Sequence, residues 1–320
     1  MKPAATFLAT ATLTMSLADA QVPAQQEEVQ LIHDHLHSPA SWMMRVQRAD
    51  GSYAGANGRP NLAATSLCML AMLGDGSTLR SGPYRTALKK AVRWLQTRQD
   101  ENGLFAGEAA TATRDHAIAT YAMIEAIGQS KSRGTLRASG ERALAALARV
   151  RHPDGGWTVN PATPFTDARS TGWSTLAMLS GAEFGLEAAT IQNALTWFDE
   201  QRQANPADHA IAICCSLSAG RDPRKHPWIS ESADIVIEHA VPTDPEQAFW
   251  TTYGLFRLGG PRWKRWQHKI EATVVPQQIT DPEDDSYSSW PPATPFGRER
   301  TTAMQLLTLS VYYRFSCLIR

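Results

Sequence analysis

Two Asp-His pairs are the residues of this chain whose types and spacing most directly suggest chemistry. Asp115-His116-Ala117-Ile118-Ala119 recurs as Asp208-His209-Ala210-Ile211-Ala212. A carboxylate beside an imidazole is the raw material of general acid–base catalysis, and two such pairs facing each other could hold a metal. The competing reading is structural. Asp115 and Asp208 then cap the N-termini of two helices, and the histidines pack between helices. Repetition favours the caps, because a duplicated element duplicates its caps. Asp167 is a further cap candidate. Arg169, Arg298 and Arg300 are the cations that could receive an anionic group.

Other potentially reactive residues are less ordered in sequence. His33, His35 and His37 alternate near the N-terminus; on a strand they would share one face, but a solvated helix is the expected setting. Cys68, Cys214, Cys215 and Cys317 have neither the spacing of a zinc site nor that of a disulfide framework. They sit in apolar runs, so buried thiols are expected, with room for one bridge. No metal site and no cofactor is expected.

The elements that must position these residues follow from a repeat. Asp50-Gly51-Ser52-Tyr53, Asn102-Gly103-Leu104-Phe105 and Asp154-Gly155-Gly156-Trp157 carry their aromatics at intervals of 52 residues. Such a period fixes architecture before any other argument. Glycine after a helix takes the left-handed conformation that ends it, the Asx side chain bonds the local backbone, and the aromatic can fold back over the helix ends. Gln47 and Gln99, near the last turns, can bond exposed carbonyls.

Each repeat holds a mixed helix followed by one that is apolar on every side, hence an outer helix and a buried inner one. Six pairs are expected. Outer helices fall at Ser41–Gln47, Tyr84–Arg98, Leu136–Val150, Leu186–Arg202, Ile229–His239 and Arg262–Pro276. Inner helices fall at Asn61–Leu73, Asp115–Ile127, Ser170–Leu179, Asp208–Ala219, Glu246–Leu258 and Arg300–Arg314. An open solenoid needs polar capping repeats, yet the last inner helix is as apolar as the middle ones. The expected fold is therefore an all-α (α/α)6 toroid, closed on itself, with a central cavity. Its inner N-termini share one mouth, and the site belongs there, near Arg59, Asn61, Asp115, His116, Asp167, Arg169, Ser170, Asp208, His209, Arg298 and Arg300.

The outer-helix Gln, the Asp-Gly-Gly-Trp turn at 154–157, the Asp167-Ala168-Arg169-Ser170-Thr171-Gly172-Trp173 helix start and the tail Arg300-Thr301-Thr302-Ala303 to Tyr312-Tyr313-Arg314 carry a resemblance. Over about residues 40 to 315 the chain resembles the prenyltransferase/squalene-oxidase repeat group of the terpenoid-cyclase and protein-prenyltransferase α/α-toroid superfamily, in its exported bacterial branch. The resemblance implies the toroid; fold alone does not settle a reaction. The Asp-x-Asp-Asp acid of class II terpene cyclases meets only Asp281-Pro282-Glu283-Asp284-Asp285, a polar loop with Pro where an Asp is needed. The prenyltransferase zinc pattern needs Asp two residues before a Cys, and Ser66, Ala212, Ile213 and Phe315 stand there. No Cys is followed by Gly, which removes the thioester motif.

Lys+Arg and Asp+Glu are both 31, and this balance argues against a nucleic-acid partner. Lys2, the apolar run Ala4 to Leu17 and Ala18-Asp19-Ala20 read as a secretory leader over residues 1–20, ahead of an extension over 21–40 and a single toroid domain over 41–320. An exported location, periplasmic or secreted, is expected, with no transmembrane helix after the leader. The expected role is a binding module for an apolar small molecule or a protein partner. One alternative is an enzyme on isoprenoid-like substrates. The other is a polysaccharide-active lyase or hydrolase, which needs opposed carboxylates about 5–10 Å apart; Asp115, Asp167 and Asp208 are the nominees.

Overall fold

A computed structural model of the chain describes residues 39–201 and 205–311. The expected leader, nearly all of the N-terminal extension with His33, His35 and His37, and Cys317 lie outside the described residues.

Helices alternate outer and inner along the chain. The outer helices are α1 (39–46), α3 (Arg85–Thr97), α5 (Thr135–Arg149), α7 (Gln192–Gln201), α9 (Trp228–Glu238) and α11 (Gly260–Val274). The inner helices are α2 (Leu62–Gly74), α4 (Ala112–Gln129), α6 (Ala168–Glu183), α8 (Pro206–Ser218), α10 (Pro245–Leu258) and α12 (Arg298–Ser310). The described residues contain no β-strand, only isolated bridges such as Gln99 with Phe105. Composition explains the two layers. Every residue of α2 is buried, whereas α3 buries Leu88, Val92 and Leu95 and exposes Lys89, Lys90 and Arg93.

Inner helices pack in the order α2, α4, α6, α8, α10, α12, and α12 packs back onto α2. The ring is closed. At the seam the Cys68 thiol of α2 lies 3.6 Å from the Glu299 carbonyl of α12. The fold is the (α/α)6 toroid that the repeat predicts.

The recurrent turn is the joint between repeats. Gly51, Gly103 and Gly155 all have φ near +90° (95°, 88° and 97°). A Cβ on them would sit 2.4–2.5 Å from the Lys90, Arg142 and Asn193 carbonyl oxygens of the next outer helix or its start. Two constraints coincide: a left-handed backbone and a close approach, and only glycine meets both. Gln47 donates to the Gly51 and Ala87 carbonyls, and Gln99 to those of Gly103 and Ser139, so each glutamine ties its turn to the following repeat. The Trp157 and Trp290 indoles fold back and donate to Leu147 and Val274 carbonyls at 2.8 Å.

The turn aromatics are held a second time, from the inner helix. The backbone N–H groups of Tyr53, Trp157 and Trp290 donate to the hydroxyls of Thr65, Thr171 and Thr302 at 2.9–3.1 Å. In the second repeat the N–H of Phe105 donates instead to Nδ1 of His116 at 3.1 Å.

Several boundaries differ from the sequence reading for identifiable reasons. Helix α7 begins at Gln192, not Leu186: after α6, Gly185 turns left-handed and the Leu186 N–H bonds back to the Gly181 carbonyl, so 186–191 is a connector. Helix α8 begins at Pro206 because Asn205 caps it and proline suits its first position. Helix α4 begins at Ala112, led in by a 3₁₀ turn over Ala109–Thr111.

Candidate functional site

Those earlier starts correct the cap assignments. Asp115 lies at the end of the first turn of α4 and Asp208 at the third position of α8, so neither is an N-cap. Asp208 instead exchanges bonds with the true cap: its N–H donates to Asn205 Oδ1 at 3.1 Å, and Asn205 Nδ2 donates to Asp208 Oδ2 at 2.7 Å. Asp167 is the N-cap of α6 and accepts from the Ser170 N–H at 2.9 Å.

Neither histidine works with its neighbouring aspartate. His116 is buried against Phe105 and serves the turn joint. Burial pushes its pKa down to about 4, so it is a neutral acceptor at ordinary pH. His209 pairs with the Ser232 hydroxyl of α9 at 2.8 Å. Arg298 reaches Ser289 Oγ and the Trp290 carbonyl and belongs to the sixth turn. Each member of the two Asp-His pairs bonds to its own turn, its own helix start or the next outer helix. Among the described residues no group of three or more His, Cys, Asp or Glu side chains is placed to hold a metal ion. Cys68, Cys214 and Cys215 are buried free thiols. Asp281, Glu283, Asp284 and Asp285 are exposed.

What the inner N-termini do bring together is a network of opposite charges. Glu246, in the first turn of α10, is 1% exposed. Its Oε2 accepts from Arg300 of α12 at 2.8 Å and lies 3.8 Å from Arg169 of α6, and its Oε1 accepts from the Trp173 indole at 2.8 Å. Arg169 also pairs with Asp244, the N-cap of α10. Burial alone would raise the Glu246 pKa; Arg300, Arg169, Arg114 and the Trp173 bond outweigh it and bring it down to about 2. Asp208 has the opposite environment. Burial and the neighbouring Asp167 charge push it up to about 6, against a smaller pull from Arg169.

Beside this network a cleft of about 300 Å³ opens at the mouth. It is lined by Asn61, Thr111, Arg114, Asp115, Phe296 and Arg300, among others. Asp115 is 1% exposed; its Oδ2 accepts from the Thr111 hydroxyl and the Glu108 N–H, while Oδ1 has no partner. Burial raises the Asp115 pKa despite these bonds and the nearby Arg300. The Nε atoms of Arg114 and Arg300 are also buried without partners. Other unpartnered buried polar atoms, such as Trp250 Nε1, Ser174 Oγ and Ser216 Oγ, lie on the inner helices away from the cleft. The Arg300 guanidinium lies over the Phe296 ring, 4.1 Å from its centroid.

Below the mouth the ring is filled. Trp173 of α6 stacks on Phe249 of α10 at 5.4 Å and meets Trp250 edge-on at 4.8 Å. Tyr121 of α4 and Tyr253 of α10 extend the cluster, and none of the five rings exceeds 3% exposure. Gly172 admits Trp250, since a Cβ there would come within 3.1 Å of the indole. Among the described residues these five side chains pack against one another on the axis, where a central cavity is expected.

The sequence reading missed Glu246, Asp244 and Arg114 as site residues. Glu246 had a readable signal: it stands at the head of a helix that is otherwise strongly apolar, four residues before Trp250.

Fold and site together define a closed α/α toroid with a packed axis and a charged, polar mouth. No known family profile matches the sequence, and no curated protein matches it. Solved structures match over nearly their whole lengths. The chain is similar to the GH76A α-1,6-mannanase of Salegentibacter sp. HEL1_6 in complex with α-1,6-mannotriose, at 8% identity and TM-score 0.65, covering 89% of this chain and 99% of that one. It is similar to a type II terpene cyclase from Scytonema in complex with its substrate, geranylgeranyl dihydroxybenzoate, at 14% identity and TM-score 0.61, covering 91% and 99%. It is also similar to an α-amylase from Clostridium perfringens, at 11% identity and TM-score 0.58, covering 86% and 98%. At these identities the likeness is one of fold, and it spans toroids of different chemistry. Among the described residues no helix is long and apolar enough to cross a membrane.

Proposed function

We propose that the protein binds a polyhydroxylated ligand, a short stretch of saccharide, at the toroid mouth. The observation that carries this reading is the cleft itself, lined by the polar and charged side chains Asn57, Asn61, Glu108, Thr111, Arg114 and Arg300. Sugars offer many donors and acceptors in a small volume, and a wall that mixes amide, hydroxyl, carboxylate and guanidinium groups matches that pattern. The binding-module role expected from sequence is kept, but its apolar ligand is replaced, because aromatic side chains already fill the axis. The same packing counts against an isoprenoid substrate inside the ring. A glycan outside the cytosol suits the export expected from residues 1–20.

Titration calorimetry with α-1,6-mannotriose, maltotriose and geranylgeraniol tests it. Saccharide binding that weakens about tenfold in Arg114→Gln is expected, the size of one lost charge-assisted hydrogen bond. Binding of geranylgeraniol alone contradicts it.

A second reading rests on Asp208 and Asp167, neighbouring carboxylates from adjacent inner helices. Burial and the charge on Asp167 raise the Asp208 pKa to about 6, so a minor but substantial share of it carries a proton near neutrality. Carboxylates in different environments are how acid and base roles divide in glycoside hydrolysis. In this reading Asp208 donates the proton to the leaving oxygen. Release of reducing ends that Asp208→Asn abolishes would favour it over binding alone.

A further inference from the structure

We infer that the saccharide taken at the mouth is acidic, and that Arg114 receives its carboxylate; this rests on the saccharide reading above. The three mouth arginines are not equivalent. Arg169 is engaged by Asp244 and Glu246, and Arg300 by Glu246. Arg114 forms none of these ion pairs, its Nε is buried without a partner, and it lines the cleft beside Asp115.

Nearby carboxylates do not fill the gap. Glu246 is occupied by Arg300, Arg169 and Trp173. Asp115 turns its bonded oxygen to Thr111 and Glu108, and burial raises its pKa toward the neutral form. Glu108 accepts from Asn61 at 2.7 Å. The cleft thus offers a half-buried guanidinium without an ion pair to the described residues, beside the polar side chains of Asn61 and Thr111. A guanidinium binds a carboxylate bidentately, and a partly dry wall strengthens that bond. A uronic acid residue answers this arrangement: its carboxylate meets Arg114, and its ring hydroxyls meet the polar side chains that line the cleft. A neutral hexose offers Arg114 only single hydrogen bonds, where a carboxylate matches its fork bidentately.

The test is calorimetry of the full chain with trigalacturonate and maltotriose, in wild type, Arg114→Gln and Arg114→Lys, with circular dichroism to verify folding. Trigalacturonate is expected to bind roughly tenfold tighter than maltotriose, more weakly as salt rises. Arg114→Gln should erase that preference, and Arg114→Lys should recover only part of it, since an ammonium lacks the fork. Equal or tighter binding of maltotriose overturns the inference and leaves the saccharide reading standing. Binding of neither sugar overturns both. Sodium acetate competing as effectively as trigalacturonate identifies a bare anion site and overturns the assignment to a sugar acid.

Discussion

Arg300 of α12 reaches the Glu246 carboxylate of α10 at 2.8 Å, and Arg169 of α6 approaches the same oxygen at 3.8 Å. Three inner helices, two of them not neighbours in the ring, are joined through one buried carboxylate. The mouth is therefore held by charge, whereas the axis below is held by aromatic packing. Removing one partner of a buried pair strands the others, at a cost of about 3–5 kcal/mol. Glu246→Gln should lower stability to urea on that scale. Asp234→Asn, which breaks the exposed Arg262 pair at 2.7 Å, should cost about 1 kcal/mol or less. Equal costs would mean that Glu246 is no staple.

The same bond sets an acid limit. The folded-state pKa of Glu246 lies at about 2, below the ordinary 4.5. A depressed carboxylate contributes stability that is present above its unfolded pKa and is lost as pH falls through the folded one. Stability from this group should decline between pH 4.5 and 2, and Glu246→Gln should flatten that part of the urea-midpoint profile.

His116 acts at milder pH. Its folded pKa is about 4 against an ordinary 6.5, because burial disfavours the imidazolium. The unfolded chain binds the proton first, so stability should fall as pH drops from 6.5 to 4 and then level off. Threonine does the same job in the other turns, accepting the N–H of Tyr53, Trp157 and Trp290. His116→Thr should keep a fold stable at pH 7.5 and reduce the decline over that window. An unchanged decline would assign it to another group.

Asp208 has the opposite sign. A carboxyl whose folded pKa is raised from 3.8 to about 6 stabilises the fold below pH 3.8, and the contribution is lost as pH rises through 6. Asp208→Asn should therefore leave thermal stability at pH 7.5 unchanged or slightly higher, its amide still able to face Asn205. A clear drop would reveal an ion pair that the geometry does not contain.

The turn glycines separate conformation from contact. Gly58 has φ +70° and open space around its Cβ direction, whereas Gly103 has φ +88° and the Arg142 carbonyl 2.4 Å away. Gly58→Ala should cost about 1 kcal/mol, the left-handed penalty alone. Gly103→Ala should cost more, because the next outer helix must also shift. Urea unfolding of the two variants makes the comparison.

The legible and illegible parts of this protein divide along physical lines. Apolar residues on every side of segments such as Leu62–Gly74 can only mean burial, and an Asx-Gly-aromatic turn at a fixed interval can only mean a repeat, so the ring was readable. The meeting of charges at the inner N-termini was readable too, since Asp167, Arg169 and Arg300 head inner helices that run together. Their partners were not. Glu246 follows an Asp-Pro helix start, where an acid looks like an ordinary dipole partner, and its burial depends on Arg300, which lies 54 residues away. Arg114 was hidden by starting α4 three residues late. The part His116 plays in the turn was not legible, because a histidine standing in for threonine carries no sign of it until the Phe105 N–H is seen. The filling of the axis depends on which rings of α6 and α10 meet, and helical periodicity does not contain that.

The claim that the polar mouth is the binding site is tested most directly by hydrogen–deuterium exchange with and without saturating oligosaccharide. The account predicts slowed exchange at amides 107–116 and 296–302, which carry the Asp115 and Arg300 walls, with the outer helices unchanged. Protection confined to the outer helices, or produced by geranylgeraniol and not by any saccharide, would contradict it.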